Sequence, residues 1–226
     1  MPVPENEDLA YTIRRSPRAR RIRVKVDPHD GIEVVIPQRA TTKEARAAIA
    51  ELRPWIDRKL AEVERARTSL ASPPGTVPFL GAHLHLRHDA HRTRAHRKHE
   101  VLHLPAANAH QALERWYRTE ARRQIAPRLD AATRALGRPH TTLAIRNQRT
   151  RWGSCSSTGA MSFNWRLMLA PEPVLDYVVW HEACHLVVMD HSKRFWTLVE
   201  RHLPGYREPR RWLRQNGAAL VLPPAG

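Results

Sequence analysis

The feature that most constrains this chain is the run His-Glu-Ala-Cys-His from His181 to His185, followed six residues later by His191. On an α-helix, residues four positions apart lie on the same face, so His181 and His185 can point two imidazoles at one metal ion. Zinc accepts imidazole nitrogens, and a catalytic zinc keeps three protein ligands and one open position. The spacing therefore predicts a zinc site formed by His181, His185 and His191.

The acidic side chain that follows the first histidine, Glu182, suits the same chemistry. It is close enough to reach a water molecule on the metal without being a ligand itself. We expect Glu182 to act as the general base, which takes a proton from the attacking water. The alternative is an amphipathic helix with solvated histidines, because a chain with 14 His matches such a pattern by chance more often than most chains.

The residues around this run favour a buried helix. Pro171 suits a helix start, where a missing amide hydrogen is harmless. The apolar residues at helical spacing are Val174, Leu175, Val178, Val179, Leu186 and Val187. Histidines on such an apolar helix need polar partners, which a metal would supply. After Val188 the chain must turn to bring His191 back, and Met189 and Asp190 are the predicted turn.

The composition indicates a basic protein of the cytoplasm. Lys and Arg number 38 against 22 Asp and Glu, a formal net charge of +16, which attracts nucleic acids, anionic membranes or acidic substrates. Only Cys155 and Cys184 occur, and low cysteine usage fits a reducing compartment. The first residues lack the basic and apolar segments of a signal peptide, and no apolar run is long enough to span a membrane.

Hydrophobic periodicity predicts an α+β fold. In the N-terminal part, alternation predicts a hairpin within residues 11–36 that turns at 29–31, a helix at about 43–67 interrupted at Pro54, and strands at 77–86 and 98–104. In the C-terminal part, we expect a helix at 109–136 interrupted at Pro127, strands at 141–146 and 160–164, and the metal helix from about Glu172.

The best internal boundary is the loop at residues 105–108, which contains proline and asparagine. It divides the chain into a β-rich N-terminal part, residues 1–105, and a metal-binding part, residues 106–226. The two parts are either separate domains or one continuous packed unit.

Five motifs in the C-terminal half occur in an order that resembles a known family. They are Arg151-Trp152-Gly153-Ser154-Cys155-Ser156, Asn164-Trp165-Arg166-Leu167, Asp176-Tyr177-Val178-Val179, the His181–His185 run with Leu186, and His191-Ser192 followed by Phe195-Trp196. This order resembles the YgjP-like metallopeptidases, which belong with the SprT-like and WLM groups of zincins. The motifs lie within about residues 147–212, and the N-terminal hairpin also suits the family.

The resemblance implies a small N-terminal antiparallel β-rich part followed by a zincin-like helical metallopeptidase core. It also implies a zinc-dependent hydrolase that cleaves peptides or proteins, with His181, His185 and His191 as ligands and Glu182 as general base. One alternative is a metal-dependent hydrolase of phosphate esters or nucleotides, which would use the same activated water on an anionic substrate. A second is a basic nucleic-acid-binding protein with a structural zinc, against which the open fourth position argues.

Other residues are candidates for supporting roles. Tyr177 and Arg166 are candidates for a second donor to the oxyanion. Asp190 or Asp176 could orient a ligand histidine, although Asp190 is equally explained as a turn residue.

Three further features have a functional and a structural interpretation. The strand at 160–164 could line the cleft and bind an extended peptide by strand addition, or it could be an ordinary core strand. Cys155 is a minor candidate for a nucleophile because no base for it is evident, and Cys184 is predicted to be a small buried residue. Trp196 is most simply a core residue.

The densest basic stretch lies near the N-terminus. Its members are Arg14, Arg15, Arg18, Arg20, Arg21, Arg23 and Lys25. The charge would suit nucleic acid, but we favour a solvated strand face and expect at most weak, sequence-independent binding. The sequence leaves the oligomeric state open.

Overall fold

The computed structural model describes residues 9–27, 31–148 and 150–222. Within these ranges the chain forms ten strands and five α-helices, which confirms the α+β class. The contacts group the chain into two compact units, one ending at Leu70 and the other beginning at Ala71. No described helix is long and apolar enough to cross a membrane.

The first unit is a three-stranded sheet with one long helix. Its elements are β1 (Tyr11–Ser16), β2 (Arg23–Asp27), β3 (Gly31–Pro37) and α1 (Thr42–Ser69). β2 and β3 are antiparallel, as the predicted hairpin requires. The predicted turn at residues 29 and 30 lies outside the described residues, as does the N-terminal segment 1–8.

This sheet is mixed rather than wholly antiparallel, because β1 runs parallel to β3. β3 is the central strand, and its apolar side chains, among them Ile32, Val34 and Ile36, are buried. A strand this apolar needs cover on both sides and a partner at each edge. Alternation within one hairpin predicts the β2 pairing but says nothing about β1.

Helix α1 begins where its cap predicts. The Thr41 side chain accepts a hydrogen bond from the Glu44 backbone amide, and the Glu44 carboxylate accepts one from the Thr41 amide. The predicted interruption at Pro54 is wrong, because α1 is continuous from Thr42 to Ser69. A proline inside a helix costs about 3 kcal/mol, but Ile49 and Ile56 on either side of it are buried in the core of this unit and hold the helix together.

The second unit begins with a four-stranded sheet. Its strands are β4 (Thr76–Phe79), β5 (Ala82–Asp89), β6 (His96–Lys98) and β7 (Val101–Pro105), in the order β4-β5-β7-β6. The outer pairs are antiparallel, whereas β5 and β7 are parallel. The β-rich part therefore differs from the antiparallel expectation here too, because the short strand β6 reverses the chain before β7 pairs with β5.

A three-stranded sheet between two helical parts follows. Its strands are β8 (Thr142–Arg146), β9 (Gly153–Cys155) and β10 (Ala160–Asn164), with β10 in the centre. Helix α2 (Ala109–Leu136) precedes it and is continuous through Pro127, so the interruption predicted there is wrong. α2 ends at Gly137, which has a positive φ of 63°, as the Gly-then-Pro signal predicts.

Three helices complete the unit: α3 (Glu172–Cys184), α4 (Lys193–His202) and α5 (Arg207–Asn216). α3 is mostly buried, including Val174, Leu175 and Val178, as expected for a helix that is apolar on all sides. It contacts α2, α4, α5 and β9. The helix that carries the histidines is therefore enclosed by the other elements of the unit.

The second unit includes the four-stranded sheet. The Leu80 amide donates a hydrogen bond of 2.8 Å to the Met168 carbonyl, and the Tyr117 hydroxyl donates one to the Pro78 carbonyl. The compact units divide before this sheet, whereas the sequence places the boundary after it. The division into residues 1–105 and 106–226 stays a prediction about domains.

Candidate metal centre

Three histidine side chains converge at the C-terminal end of α3. Their ligand atoms all lie within 4.8 Å of one another, and Nε2 of His191 is 3.0 Å from Nε2 of His181. Two ligands with bonds of about 2.0–2.1 Å to a tetrahedral ion lie roughly 3.4 Å apart. In the described part of the chain, His181, His185 and His191 are the only group of three or more residues that could hold a metal.

The end of α3 gives His185 its orientation. His185 is the first residue after the helix, but its φ of −66° and ψ of −18° are still helical, so its ring stays above that of His181. Its Nδ1 is 3.0 Å from the Val188 carbonyl. A carbonyl only accepts, so Nδ1–H donates and Nε2 keeps its lone pair for a metal.

The turn after α3 returns His191 to the site. The Asp190 carboxylate accepts a hydrogen bond of 3.0 Å from the Ser192 amide. Hydrogen bonding by the Ser192 side chain, and then by this amide, lowers the pKa of Asp190. Asp176 accepts a bond of 2.9 Å from Arg128 Nε on α2. Asp190 is thus the turn residue, Asp176 is held in an ion pair, and a backbone carbonyl orients the ligand instead.

Burial disfavours the charged form of two of the three histidines. Burial, and then the two neighbouring histidines, lower the pKa of His181 to about 3, and burial is also the main cause that lowers the pKa of His185. Neutral imidazole is the form that binds a metal. The Nδ1 atom of His181 is buried and has no hydrogen-bond partner among the described residues. These donors fit a metal ion.

Aromatic side chains from α4 surround the imidazoles. The Phe195 ring lies 4.4 Å from that of His185 between centroids, and the Trp196 ring lies 5.7 Å from those of both His181 and His191. Trp196 is therefore a wall of the site rather than only a core residue. Such packing restricts the imidazole rings to few orientations.

Glu182 is buried next to this centre. It is 7% exposed, and burial raises the pKa of its carboxyl to about 7, partly opposed by the charge of Arg151. A carboxyl with a pKa near the operating pH is suited to taking up a proton and giving it back. The low exposure and the raised pKa of Glu182 are typical of a group that takes part in a reaction rather than of a solvated surface residue.

Gly153 on β9 makes room for this carboxyl. A Cβ on Gly153 would lie 2.5 Å from Cγ and 2.7 Å from Oε1 of Glu182, closer than such atoms can approach. Gly153 belongs to the first of the five motifs, but its sequence context indicates no role for it. The available signal is a glycine inside a short strand, which often marks a close approach of the backbone.

The buried Asn164 side chain supports β9 from the neighbouring strand. Its Nδ2 donates to the carbonyls of Gln148, at 2.6 Å, and Arg151, at 3.3 Å, while its Oδ1 accepts from the Arg166 amide. Its backbone amide also donates to the Trp152 carbonyl. One buried side chain thus holds the loop that leads into Gly153, a role that the sequence did not indicate.

Of the two interpretations of strand 160–164, the ordinary core strand is the one that the structure supports, because this strand, β10, lies between β8 and β9 and has a partner at each edge. β9 is an edge strand of the same sheet and contacts α3 beside Glu182. The strand with an open edge next to the site is therefore β9.

The cysteines are poor nucleophiles. Burial, and then the Glu182 charge, raise the pKa of Cys155 to about 11, so its thiol is protonated at neutral pH. Cys184 is fully buried as predicted, and burial raises its pKa to about 12. Both cysteines are free thiols.

The candidates for an oxyanion donor differ in position. The Arg166 guanidinium lies 5.7 Å from the Trp165 ring, whereas Tyr177 packs 5.7 Å from the His181 ring. Arg210 on α5 also lies near the site, 4.1 Å from the Trp196 ring. Its charge lowers the pKa of both His181 and Tyr177, although nothing in the sequence marks this residue.

Comparison with known proteins gives the class first: residues 20–216 match a metallopeptidase domain. That domain is the YgjP-like one, and because the match covers most of the sequence, the chain belongs to the YgjP-like metallopeptidase family. This confirms the resemblance seen in the five motifs. No curated protein matches the chain significantly. A similar solved structure is the metallopeptidase zymogen of Pyrococcus abyssi abylysin, with 24% identity, 40% coverage of this chain, 93% coverage of that chain and a TM-score of 0.36.

Proposed function

We propose that the protein is a zinc metallopeptidase in which His181, His185 and His191 hold the metal and Glu182 is the general base. The observation that carries the proposal is the convergence of three imidazoles beside a buried carboxyl whose pKa is raised to about 7. Three histidine ligands are a donor set that zinc takes in catalytic sites, where a fourth position stays open. Family membership supports the peptidase class.

When bound in such a site, zinc activates a water molecule and polarises the carbonyl group under attack. The Glu182 carboxylate accepts the proton that this water releases and then donates it to the nitrogen of the leaving group. A nearby divalent cation favours the ionised carboxyl, which is the form that accepts the proton. Gly153 keeps the carboxylate at its position, and the Val188 carbonyl keeps the His185 ring turned toward the metal.

An extended peptide backbone is the substrate that the neighbouring elements favour. Among the described strands, β9 lies at the edge of its sheet and approaches Glu182 at Gly153, and a peptide can add to such an edge through main-chain hydrogen bonds. Hydrolysis of phosphate esters or nucleotides is the runner-up, since Arg151 and Arg210 lie near the site. A purely structural zinc would give no reason for a buried carboxyl next to the ligands.

The N-terminal basic stretch and the location of the protein are secondary parts of the proposal. Glu33 pairs with Arg14 at 2.6 Å and with Lys25 at 3.4 Å, and Arg15 donates to the carbonyls of Gln38 and Ala40. These contacts support a solvated strand face with weak nucleic-acid binding at most. Residence in the cytoplasm stays a prediction from composition.

The first test is the metal. Protein purified without chelator is expected to hold about one zinc per chain, and His185→Ala is expected to lose it. His110→Ala, which removes an exposed histidine of α2, is the matched control and should keep the metal. Elemental analysis is the measurement, and a wild-type protein that neither contains nor takes up a transition metal would refute the proposal.

The second test is the base. Glu182→Gln is expected to keep zinc and fold but to lose about 10²–10⁴ in rate, because an amide cannot accept the proton. Peptide libraries and nucleoside triphosphates are assayed side by side with wild type, Glu182→Gln and the exposed control Glu208→Gln. Wild-type turnover by Glu182→Gln would give this residue another role. Zinc-dependent cleavage of triphosphates alone would favour the runner-up.

A further inference from the structure

The outer face of the four-stranded sheet carries an unusual set of side chains. On β5, Leu84 is buried whereas His83, His85 and Arg87 are exposed, as alternation along a strand requires. We call these three residues, together with His96, Lys98 and His103, the imidazole face. It combines four imidazoles with an arginine and a lysine, and the metal centre uses none of them.

Strand register places these side chains in two rows. Arg87 on β5 is opposite His103 on β7, which is opposite His96 on β6. In the neighbouring row, His85 and Lys98 flank Val101. Side chains directly opposite one another on a sheet have Cβ atoms about 4.5–5.5 Å apart. The first row is therefore a continuous line of donors across three strands, and the second row has a donor on either side of Val101.

A pocket of about 420 Å³ opens on this face. It is lined by Arg87, Lys98, His99, Glu100, Val101 and His103. Arg87 and Lys98 outweigh Glu100, and the two imidazoles add hydrogen-bond donors and flat rings. Within the described residues, Arg87 and Lys98 form no ion pair. In the N-terminal stretch, by contrast, Arg14 and Lys25 both pair with Glu33. The charges of Arg87 and Lys98 are therefore available to an external anion.

The side chains of the imidazole face favour some classes of ligand over others. A metal is not favoured, because within the described residues only the triad at α3 brings three ligand atoms close together. An anionic membrane is not favoured either, since the exposed large apolar side chains are Ile13, Leu52, Val187 and Met189, none of which lies on this sheet. A small anion would contact one row, whereas a chain of phosphates can contact both.

We propose that the imidazole face binds single-stranded nucleic acid. Arg87 and Lys98 contact the phosphates, and the imidazole rings of His85 and His103 stack on unpaired bases. Flat rings on a sheet surface are a means by which proteins hold unstacked bases, and stacking tolerates any sequence. The charge of +16 attracts the polyanion from a distance. The proposal does not depend on the peptidase activity.

The test uses the full chain and fluorescent oligonucleotides, oligo-dT and oligo-U, titrated at several salt concentrations. Arg87→Gln with Lys98→Gln is expected to lower the slope of log K against log salt by about 1.4, since each lost contact with a single strand accounts for about 0.7. Arg134→Gln with Arg138→Gln removes the same charge from the end of α2 and is expected to leave the slope unchanged.

A second pair of variants tests stacking. His85→Asn with His103→Asn is expected to weaken binding about thirtyfold or more, because stacking on an aromatic ring contributes at least about 1 kcal/mol per base and two rings are removed. The salt slope should stay as in wild type, since these rings contact bases rather than phosphates. His110→Asn is the control. Unchanged zinc content and melting temperature verify that the variants fold.

Several outcomes would overturn the proposal. One is no binding by wild type at low salt. Another is an equal loss of affinity in the Arg87 and Lys98 double variant and in the Arg134 and Arg138 double variant, which would mean that binding follows net charge alone. A third is loss only on neutralising Arg18, Arg20, Arg21 and Arg23, which would place binding on the N-terminal stretch. Binding to anionic lipid vesicles with the same dependence on Arg87 and Lys98, but not to oligonucleotides, would point to a membrane.

Discussion

At the scale of single residues, the absence of a side chain at Gly153 leaves the space that the Glu182 carboxyl occupies. We expect Gly153→Ala to displace the carboxyl, because the new methyl group would lie 2.5 Å from Glu182 Cγ. A displacement of about 1 Å at a reacting group can cost about 10² in rate. Zinc content should be unchanged, because the three histidines are not touched.

Ser154→Ala is the control for this variant, since it changes the next residue of β9 and removes only the contact of 2.9 Å with the Ser162 hydroxyl. The measurement is turnover of any peptide that the wild type cleaves, with zinc content in parallel. If Gly153→Ala cleaves at the wild-type rate, the position of Glu182 is not set by Gly153.

The raised pKa of Cys155 predicts how slowly its thiol is alkylated at a given pH. Its pKa is raised to about 11 by burial and by Glu182, so the reactive thiolate becomes abundant only as the pH approaches that value. We expect iodoacetamide to alkylate native Cys155 slowly at pH 8 and at the rate of an ordinary cysteine after unfolding. Mass spectrometry of timed samples measures both rates, and Cys155→Ser should retain activity. Fast native alkylation, or loss of activity in Cys155→Ser, would revive the nucleophile alternative.

Residue-scale prediction from the sequence succeeds where the signal is local. His181 and His185 are four residues apart on one helix, so their convergence follows from helix geometry alone. Gly153 and the Val188 carbonyl act through tertiary contacts. A glycine inside a short strand indicates that something approaches its backbone but does not identify the partner. The Val188 carbonyl has no signal in the sequence, since every residue has one.

At the scale of elements, the loop before β9 depends on Asn164. We expect Asn164→Ala to leave the carbonyls of Gln148 and Arg151 without their donor, at a cost of about 1–3 kcal/mol in the free energy of unfolding. The loop should become more mobile, so activity should fall more than zinc affinity does. Hydrogen exchange of residues 150–155 and denaturant unfolding measure the two effects.

Asn164→Asp separates this account from simple loss of packing. The carboxylate keeps the acceptor for the Arg166 amide but has no hydrogen to donate to the two carbonyls. It should therefore behave like Asn164→Ala, whereas Ser162→Ala on the same strand should have little effect. Wild-type exchange rates in Asn164→Asp would show that these donors do not hold the loop.

The element-scale errors of the sequence prediction share a physical cause. Pro54 and Pro127 are local signals for a break, but each lies in a helix whose buried residues on both sides keep it continuous. The strand at 160–164 is correct as an element, yet its place in the centre of the sheet follows from its pairing with β8 and β9. Local pattern predicts that an element exists, whereas packing decides its neighbours.

At the scale of the whole molecule, the two compact units predict which fragment can fold. We expect a chain of residues 71–226 to fold and bind one zinc, because it keeps the four-stranded sheet. A chain of residues 106–226 lacks Pro78, the acceptor of the buried Tyr117 hydroxyl, and Phe79, whose ring lies 5.3 Å from that of Trp116. It should expose apolar surface and aggregate.

Circular dichroism, zinc content and gel filtration of the two fragments make this comparison. A stable, zinc-binding fragment 106–226 would support the boundary at residue 105 that composition predicts, and would contradict our expectation. The α+β class was predictable because it depends on which elements exist. The domain boundary depends instead on packing, because the loop at 105–108 resembles a linker in composition whereas the sheet before it packs against α2 and the turn at Trp165–Leu169.

The main-chain acceptor at Val188 has a consequence for how the site can be varied. A carbonyl is present whatever side chain occupies position 188, so substitution of Val188 does not remove the acceptor of the hydrogen bond that orients His185. The exposed side chains next to it, Val187 and Met189, can be exchanged without removing either atom of that bond. This segment is therefore a place that tolerates substitution while the three histidines stay in position.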